Sequence, residues 1–122
     1  MSLRQHILVV EDDPLVAEVI AAALDDDYRT SVVETSAAAL DSLACGGIDL
    51  VLLDCTLPDG IHPTLIPAAD RLRLPVVLMS GDPQRMEGLT MQPRPFILKP
   101  FTLSELTSAV AREIGGAACA AA

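Results

Sequence analysis

Three short apolar runs in this chain each end at charged residues. The runs cover residues 6–10, 50–53 and 96–98, and the charges that follow them are Glu11-Asp12-Asp13, Asp54 and Lys99. Short aliphatic runs that lack polar alternation are typical of parallel strands covered on both faces. Sheets of this kind bind ligands beyond the carboxyl ends of their strands. The sequence therefore predicts that several carboxylates and one ammonium meet at a single rim of a sheet.

Strand and helix patterns alternate along the chain. Strands are predicted over 6–10, 28–33, 48–53, 75–79 and 95–98, and helices over 14–24, 37–44, 63–71, 83–92 and 102–114. This alternation with short connections predicts an α/β fold, a doubly wound parallel sheet of five strands with helices on both faces. The third and fourth helices are expected to be short, because prolines flank or interrupt both and Gly88 lies in the fourth.

Several helix boundaries carry their own signals. Asp12 or Asp13 is expected to cap the first helix, and Thr35 or Ser36 the second, because these side chains accept hydrogen bonds from free backbone N–H groups. The segment Thr102-Leu103-Ser104-Glu105 has the pattern of a capping box and should open the last helix.

Length and composition predict a single domain over residues 1–122, with a core over about 5–114 and a flexible Ala/Gly tail over 115–122. A hydrophobic content of 51% excludes a disordered chain despite the net charge of −9. Eight basic residues against 17 acidic ones argue against direct binding to nucleic acid or to an anionic membrane. Charges interrupt every apolar run well before the ~18 residues of a membrane span, and no signal-peptide pattern is present, so a cytoplasmic location is expected.

The three cysteines, Cys45, Cys55 and Cys119, are widely spaced and odd in number. Without a CxxC pair or a histidine cluster, they match neither a disulfide framework nor a zinc site. They are expected to act as small hydrophobic residues in a reducing compartment. Cys55 directly follows Asp54 at the predicted rim, which leaves open that its thiol is reactive.

Four motifs at the ends of predicted strands occur in one order. They are Ile7-Leu8-Val9-Val10-Glu11-Asp12-Asp13-Pro14, Val51-Leu52-Leu53-Asp54 followed by Pro58 and Gly60, Met79-Ser80-Gly81, and Phe96-Ile97-Leu98-Lys99-Pro100-Phe101. Together, over roughly residues 5–114, they resemble the receiver domain of two-component response regulators of the stand-alone, single-domain type. The resemblance implies a flavodoxin-like sheet with strand order 2-1-3-4-5.

Asp54 is the phosphoacceptor that this resemblance implies. A carboxylate can attack phosphorus as a nucleophile and form an acyl phosphate. Charge repulsion would oppose the approach of a phosphoryl group, since two unit charges about 4 Å apart repel by roughly 4 kcal/mol at an effective dielectric of 20. Hard oxygen ligands suit Mg²⁺ (or Mn²⁺) as the neutralising cation. The resemblance implies metal contacts from Asp54, Asp12 and the backbone carbonyl of Thr56, with Glu11 acting largely through water.

Lys99, the only lysine in the sequence, is expected to pair with Asp54 before phosphoryl transfer and with a phosphoryl oxygen afterwards. The resemblance implies a cis Lys99–Pro100 bond, which would aim Lys99 inward. It also implies that the Ser80 hydroxyl turns to the phosphoryl group. Phe96 stands at the position of the switch aromatic. Without a hydroxyl it could respond only by rotamer and packing, and a plain core role stays open.

The predicted function is a phosphorylation-dependent signalling switch, not an enzyme. A histidine kinase or phosphotransfer protein would donate the phosphoryl group, and a separate downstream partner would respond. The intervals from Asp54 to Ser80 and from Ser80 to Lys99 are shorter than in typical receivers, so the usual dimer face is not assumed and a monomer or weak dimer is expected.

Two alternatives stay open. The first is a degenerate receiver that binds partners without phosphorylation, although Asp54, Asp12 and Lys99 are all retained. The second is a small phosphohydrolase with Asp54 as its nucleophile. Enzymes resembling the haloacid dehalogenases place a second aspartate two positions on, where this chain has Thr56.

Overall fold

The computed structural model describes residues 4–57, 60–81 and 95–121, with side chains up to residue 114. Strands and helices alternate in the order β1 (His6–Val10), α1 (Pro14–Leu24), β2 (Arg29–Val33), α2 (Ser36–Cys45), β3 (Leu50–Asp54), α3 (Leu65–Arg71), β4 (Val76–Ser80), β5 (Phe96–Leu98) and α4 (Leu103–Ala121). The strands form one parallel sheet in the order β2-β1-β3-β4-β5. The predicted fold class and strand order are confirmed.

The five predicted strands are present, with boundaries shifted by at most two residues. The largest shift is at β3, which was predicted from Ile48 and begins at Leu50. Asp49 lies just before the strand, where its backbone N–H donates to the carbonyl of His6 and its carboxylate accepts from the His6 N–H. These bonds join the start of β3 to the start of β1.

Local capping explains where the helices begin. Asp13 caps α1, since its carboxylate accepts a hydrogen bond from the N–H of Leu15 at 3.0 Å. Thr35 caps α2 by accepting from the N–H of Ala38 at 3.1 Å. At the predicted capping box, the N–H of Glu105 donates to the Thr102 hydroxyl at 3.0 Å, and this hydroxyl donates to Glu105 Oε1 at 3.3 Å, so Thr102 caps the start of α4.

The third and fourth predicted helices were both expected to be short. The expected shortness of the third helix is confirmed, since α3 has seven residues. The segment 83–92, predicted to form another short helix, lies outside the described residues.

The last helix is longer than its predicted range of 102–114, because α4 continues to Ala121. The backbone of residues 115–121, expected as a tail, is therefore helical. Gly115 and Gly116 each reduce helix stability by about 1 kcal/mol relative to alanine. The alanines over 117–121 have the highest helix propensity and favour continuation of the helix. None of the helices in the described part of the chain is long and apolar enough to cross a membrane.

The core consists of two apolar layers, one on each face of the sheet. On one face, strand residues such as Leu8 and Leu53 pack against α2 and α3, and the cluster is completed by residues including Leu43 and Leu65. On the other face, strand residues such as Val9, Leu52 and Met79 pack against α1 and α4, where they meet Ile20, Leu24, Leu106 and Val110. Because successive side chains of a strand point to opposite faces, both layers need apolar residues, and the central strands have no polar alternation.

Candidate functional site

The strand order brings the sequence-predicted site residues to one rim. Glu11 and Asp12 follow β1, Asp54 ends β3, Ser80 ends β4 and Lys99 follows β5. These four strands are consecutive neighbours in the sheet, and all run in the same direction. Their carboxyl ends therefore form one continuous edge, as the sequence predicted.

The side chain of Lys99 bridges two buried carboxylates. Its Nζ lies 3.0 Å from Glu11 Oε1 and 3.3 Å from Asp54 Oδ2. The Glu11 and Asp54 side chains are 0% and 2% exposed, whereas Lys99 is 26% exposed. Buried charges are tolerated only when they are paired, so this ammonium allows both acids to lie inside the rim. The Lys99–Pro100 peptide bond is cis, as the resemblance implied.

The contact between Lys99 and Glu11 is one that sequence reasoning missed. Lys99 was expected to pair with Asp54, but its shorter contact is to Glu11. Glu11 Oε2 also accepts a hydrogen bond from the N–H of Asp12 at 3.1 Å, so both Glu11 oxygens have protein partners. The sequence offered one signal for this contact. Glu11 directly continues the apolar strand 6–10, so its side chain could be expected to be buried and to need a cationic partner.

Asp54 is fixed from its other side by Thr56. The Thr56 N–H and the Thr56 hydroxyl donate to Asp54 Oδ1 at 2.8 and 2.6 Å, respectively. An aspartate that accepts from the N–H two residues later forms an Asx turn, a geometry that the spacing could have indicated. The oxygen Oδ2 remains on the side that faces Lys99.

Burial raises the pKa of Glu11 to about 7. The hydrogen bond that the protonated carboxyl makes to Asp54 adds to this rise, whereas the hydrogen bond to Lys99 opposes it. Near neutral pH, and without a metal, Glu11 is therefore partly protonated.

Asp54 shifts in the opposite direction. Burial by itself would raise the pKa of Asp54, but hydrogen bonds from Glu11 and Thr56 and the charge of Lys99 outweigh burial and lower it. For Lys99, burial would lower the pKa, but the hydrogen bond to Glu11 and the charges of Asp54 and Glu11 raise it. Asp54 and Lys99 are thus both charged at neutral pH, as a nucleophile and its cationic partner must be.

Three acids at this rim fit a divalent metal. One carboxylate oxygen from each of Glu11, Asp12 and Asp54 lies within 4.8 Å of the other two. Ligands opposite each other on an octahedral Mg²⁺ lie about 4.2 Å apart, so these oxygens are near the required spacing. When all three carboxylates are ionised, they and the Lys99 ammonium together carry a net charge of −2, which one divalent cation cancels. The donor set, all hard oxygens, also suits Mg²⁺.

Ser80 and Phe96 lie on the β4–β5 side of the rim. Ser80 is 0% exposed, and its carbonyl accepts a hydrogen bond from the N–H of Lys99 at 3.0 Å. Phe96 is 52% exposed, so the plain core role left open for it is wrong. The reason is that β5 is the edge strand, whose residues alternate between exposed Phe96, buried Ile97 and exposed Leu98.

Cys55 is buried within the apolar layer on the α2 and α3 face. Its thiol is therefore largely inaccessible to solvent. Cys45 is exposed at the end of α2, and neither residue forms a disulfide. The Cys119 side chain lies outside those described.

Comparison with known proteins agrees with this geometry. The family model of the response regulator receiver domain matches residues 7–111. The chain belongs to the response regulator receiver family. Receivers of this family act in two-component signalling, and the curated relatives of this chain are bacterial.

Individual relatives support the family membership. The DNA-binding response regulator MtrA of Mycolicibacterium smegmatis is 33% identical over 115 residues, which are 89% of this chain and 50% of that protein. The chain thus spans about half the length of the curated relatives it matches.

Solved structures are similar over nearly the whole chain. The receiver domain of the sensor histidine kinase PA1611 from Pseudomonas aeruginosa has a TM-score of 0.80 and 28% identity, covering 93% of this chain and 99% of that one. That structure has a magnesium ion coordinated in its active-site cleft. A response regulator receiver protein from Sinorhizobium medicae has a TM-score of 0.84 at 20% identity, covering 93% of this chain and 97% of that one, and so shares the fold.

We predict that, without divalent metal, this receiver loses unfolding free energy as the pH rises from about 5 to 8. Glu11 has an ordinary pKa of 4.5 and a pKa of about 7 in the folded chain, so the folded state binds more protons in this window and stability falls with pH. The loss should be on the order of 1–3 kcal/mol, since one pKa unit corresponds to about 1.4 kcal/mol. The lowered pKa of Asp54 and the raised pKa of Lys99 act below and above this window, respectively.

Urea unfolding in EDTA at several pH values measures this slope. Glu11→Gln keeps the shape of the side chain but cannot titrate, so most of the slope should disappear in that variant. Glu34→Gln, at an exposed glutamate, is the matched control and should keep the wild-type slope. An unchanged slope in Glu11→Gln would contradict the assignment.

Proposed function

We propose that this receiver is a phosphorylation-dependent switch in which Asp54 accepts a phosphoryl group from a histidine kinase or phosphotransfer protein. The observation that carries the proposal is the Lys99 bridge to Glu11 and Asp54, at 3.0 and 3.3 Å. It places an ionised carboxylate beside a fixed cation at a rim that also offers a cluster of hard oxygen ligands. Phosphoryl transfer to an acid needs all three of these features.

The proposed transfer step uses the Asp54 carboxylate as the nucleophile. One of its oxygens attacks the donor's phosphorus, the phosphorus–nitrogen bond to the donor histidine breaks, and the electron pair leaves with the imidazole. Thr56 holds Oδ1 through two hydrogen bonds, which limits rotation of the carboxylate and orients it for in-line attack. The lowered pKa of Asp54 keeps it ionised for this step.

Glu11, Asp12, Asp54 and the Thr56 carbonyl are the proposed metal-binding groups. Bound Mg²⁺ (or Mn²⁺) would supply electrostatic stabilisation of the phosphoryl oxygens and offset the charge of the acidic cluster. Metal binding requires Glu11 to release its proton, because a carboxylate coordinates in its ionised form. Lys99 then balances the remaining negative charge.

After transfer, the phosphoryl group adds a charge of about −1.5 to −2 and three strong acceptor oxygens. The N–H of Thr56, the hydroxyl of Ser80 and the ammonium of Lys99, which lie at or just beyond the ends of β3, β4 and β5, are the proposed donors to those oxygens. Movement of Ser80 toward the phosphoryl group would alter packing at β5, where Phe96 is half exposed. We propose that a separate downstream partner reads this change.

An exposed apolar patch beside the rim is suited to the phosphodonor. Leu15 and Val19 on α1 are 72% and 51% exposed, and Leu103 at the start of α4 is 52% exposed. Both helices begin at the rim and contact each other, so we propose that a protein delivering a phosphoryl group to Asp54 docks on these side chains. Exposed apolar surface at such a place favours a protein partner.

The two alternatives have less support. A phosphohydrolase of the dehalogenase type needs a general acid two residues after the nucleophile, where the Thr56 side chain instead donates to Asp54. A degenerate receiver has no need for the buried pairing of Lys99 with two acids, which is costly to maintain without a function.

Phosphorylation is tested with a small-molecule donor. Incubation with acetyl phosphate and Mg²⁺ should add one phosphoryl mass to the intact protein, and EDTA or Asp54→Asn should abolish the gain, because the nucleophile or its cation is then missing. Asp41→Asn, at an exposed aspartate on α2, is the matched control and should be labelled normally. A Mg²⁺-dependent mass gain that persists in Asp54→Asn would contradict the assignment.

The role of the apolar patch is tested by comparing two donors. Leu15→Ala should slow transfer from a cognate phosphorylated histidine protein by about tenfold, since truncating a central interface side chain typically costs more than 1 kcal/mol. Labelling by acetyl phosphate should stay unchanged. Leu72→Ala, at a half-exposed leucine at the end of α3 on the opposite side of the sheet, should affect neither donor. If Leu15→Ala slowed labelling equally with both donors, the substitution would have damaged the Asp54 site, and the proposed docking role would be contradicted.

A further inference from the structure

The buried hydroxyl of Ser36 joins helix α2 to the loop that follows the Asp54 strand. Ser36 is the first residue of α2 and is 5% exposed. Its Oγ donates to the carbonyl of Gly60 at 3.2 Å and accepts from the N–H of His62 at 3.1 Å. One side chain therefore satisfies two backbone groups of a loop that lies 24 and 26 residues further along the chain.

This loop begins at the residue that holds the phosphoacceptor. Thr56 donates twice to Asp54, and Leu57, the next residue, is 5% exposed and packs in the core. The N–H of Gly60 then donates to the Leu57 carbonyl at 2.9 Å, with Gly60 at a φ of +74° that favours glycine. Gly60 is thus held by Leu57 through its N–H and by Ser36 through its carbonyl.

We propose that Ser36 is a positioning residue for the phosphoacceptor site. It acts on Thr56 through its hydrogen bonds to Gly60 and His62 and through the hydrogen bond from Gly60 to Leu57, the residue after Thr56. With the hydroxyl present, the loop is held on α2 before any ligand arrives. Without it, Gly60 and His62 lose a protein partner and the loop gains conformational freedom. That freedom must be removed again when Thr56 organises around a metal or a phosphoryl group, so ligand binding becomes weaker.

The neighbouring residue provides a matched control. Thr35 also makes a hydroxyl hydrogen bond at the start of α2, but its partner is the N–H of Ala38 within the helix. Loss of the Thr35 hydroxyl removes the helix cap and should destabilise the start of α2. Only loss of the Ser36 hydroxyl should reach the phosphoacceptor loop.

The experiment compares Ser36→Ala and Thr35→Ala with the wild type in three measurements. They are binding of Mg²⁺ alone followed by NMR, hydrogen exchange of the His62 amide, and the lifetime of the phosphoryl group added by acetyl phosphate. Ser36→Ala should weaken Mg²⁺ binding about three- to tenfold, which is less than the typical loss for a direct partner of a metal ligand, because Ser36 is further from the metal-binding groups. It should also speed exchange at His62 and change the phosphoryl lifetime. Thr35→Ala should stay within about twofold of wild type in Mg²⁺ binding.

The inference rests on the proposed function, and the outcomes separate the two. If the wild type neither binds Mg²⁺ nor accepts a phosphoryl group, the proposed function fails. If the wild type does both, but Ser36→Ala matches it in Mg²⁺ affinity and phosphoryl lifetime, the role of Ser36 is wrong. Equal loss of Mg²⁺ affinity in both variants would also overturn it, because helix stability would then be the cause. If Ser36→Ala does not fold, Ser36→Cys is used in its place, because its thiol has a similar volume to the hydroxyl but forms only weak hydrogen bonds.

Discussion

The ammonium of Lys99 lies between two buried carboxylates that come from different strands, and the arrangement of the rim depends on it. Glu11 and Asp54 are almost fully removed from water, and ionised acids are tolerated there only with a cation at hydrogen-bond distance. Lys99 follows β5, Glu11 follows β1 and Asp54 ends β3, so the contact also links three strand ends. Even with Lys99 in place, burial and the hydrogen bond to Asp54 raise the pKa of Glu11 to about 7, and one ammonium leaves the three acids of the rim with excess negative charge. The remaining negative charge is what makes a divalent cation fit this corner.

The fold supplies the conditions under which that balance is possible. A parallel sheet places the carboxyl ends of all its strands at one edge, and two apolar layers exclude water from both of its faces. Helices α1 and α4 begin beside the rim, so chain segments that carry exposed apolar side chains lie near Asp54. The sheet thus brings the proposed nucleophile, its cation, the proposed metal ligands and the proposed docking surface together, although most of them are far apart in sequence.

Most of the fold, and which residues lie at the rim, could be predicted from the sequence. Apolar runs that end in charged residues identify both the strands and their carboxyl ends. The finer contacts could not be predicted. One of these contacts is the shorter distance from Lys99 to Glu11, and another is the hydrogen bond from Ser36 to Gly60. Both depend on how segments 24 to 88 residues apart pack together. The end of α4 was missed for a different reason, since two glycines and a run of alanines have opposing effects of similar size on helix stability. Phe96 was ambiguous because the alternation of a three-residue edge strand is too short to assign a face.

The central claim is that the Lys99 cation enables Asp54 to take up a more highly charged group. A crystal structure with Mg²⁺ and beryllofluoride, which mimics a phosphoryl group on an aspartate, tests it most directly. The account predicts beryllofluoride on the Asp54 carboxylate, with Lys99 Nζ at hydrogen-bond distance, about 3 Å, from a fluorine and withdrawn from Glu11. Beryllofluoride bound elsewhere, or a Lys99 that remains on Glu11 and makes no contact with the fluoride, would contradict it.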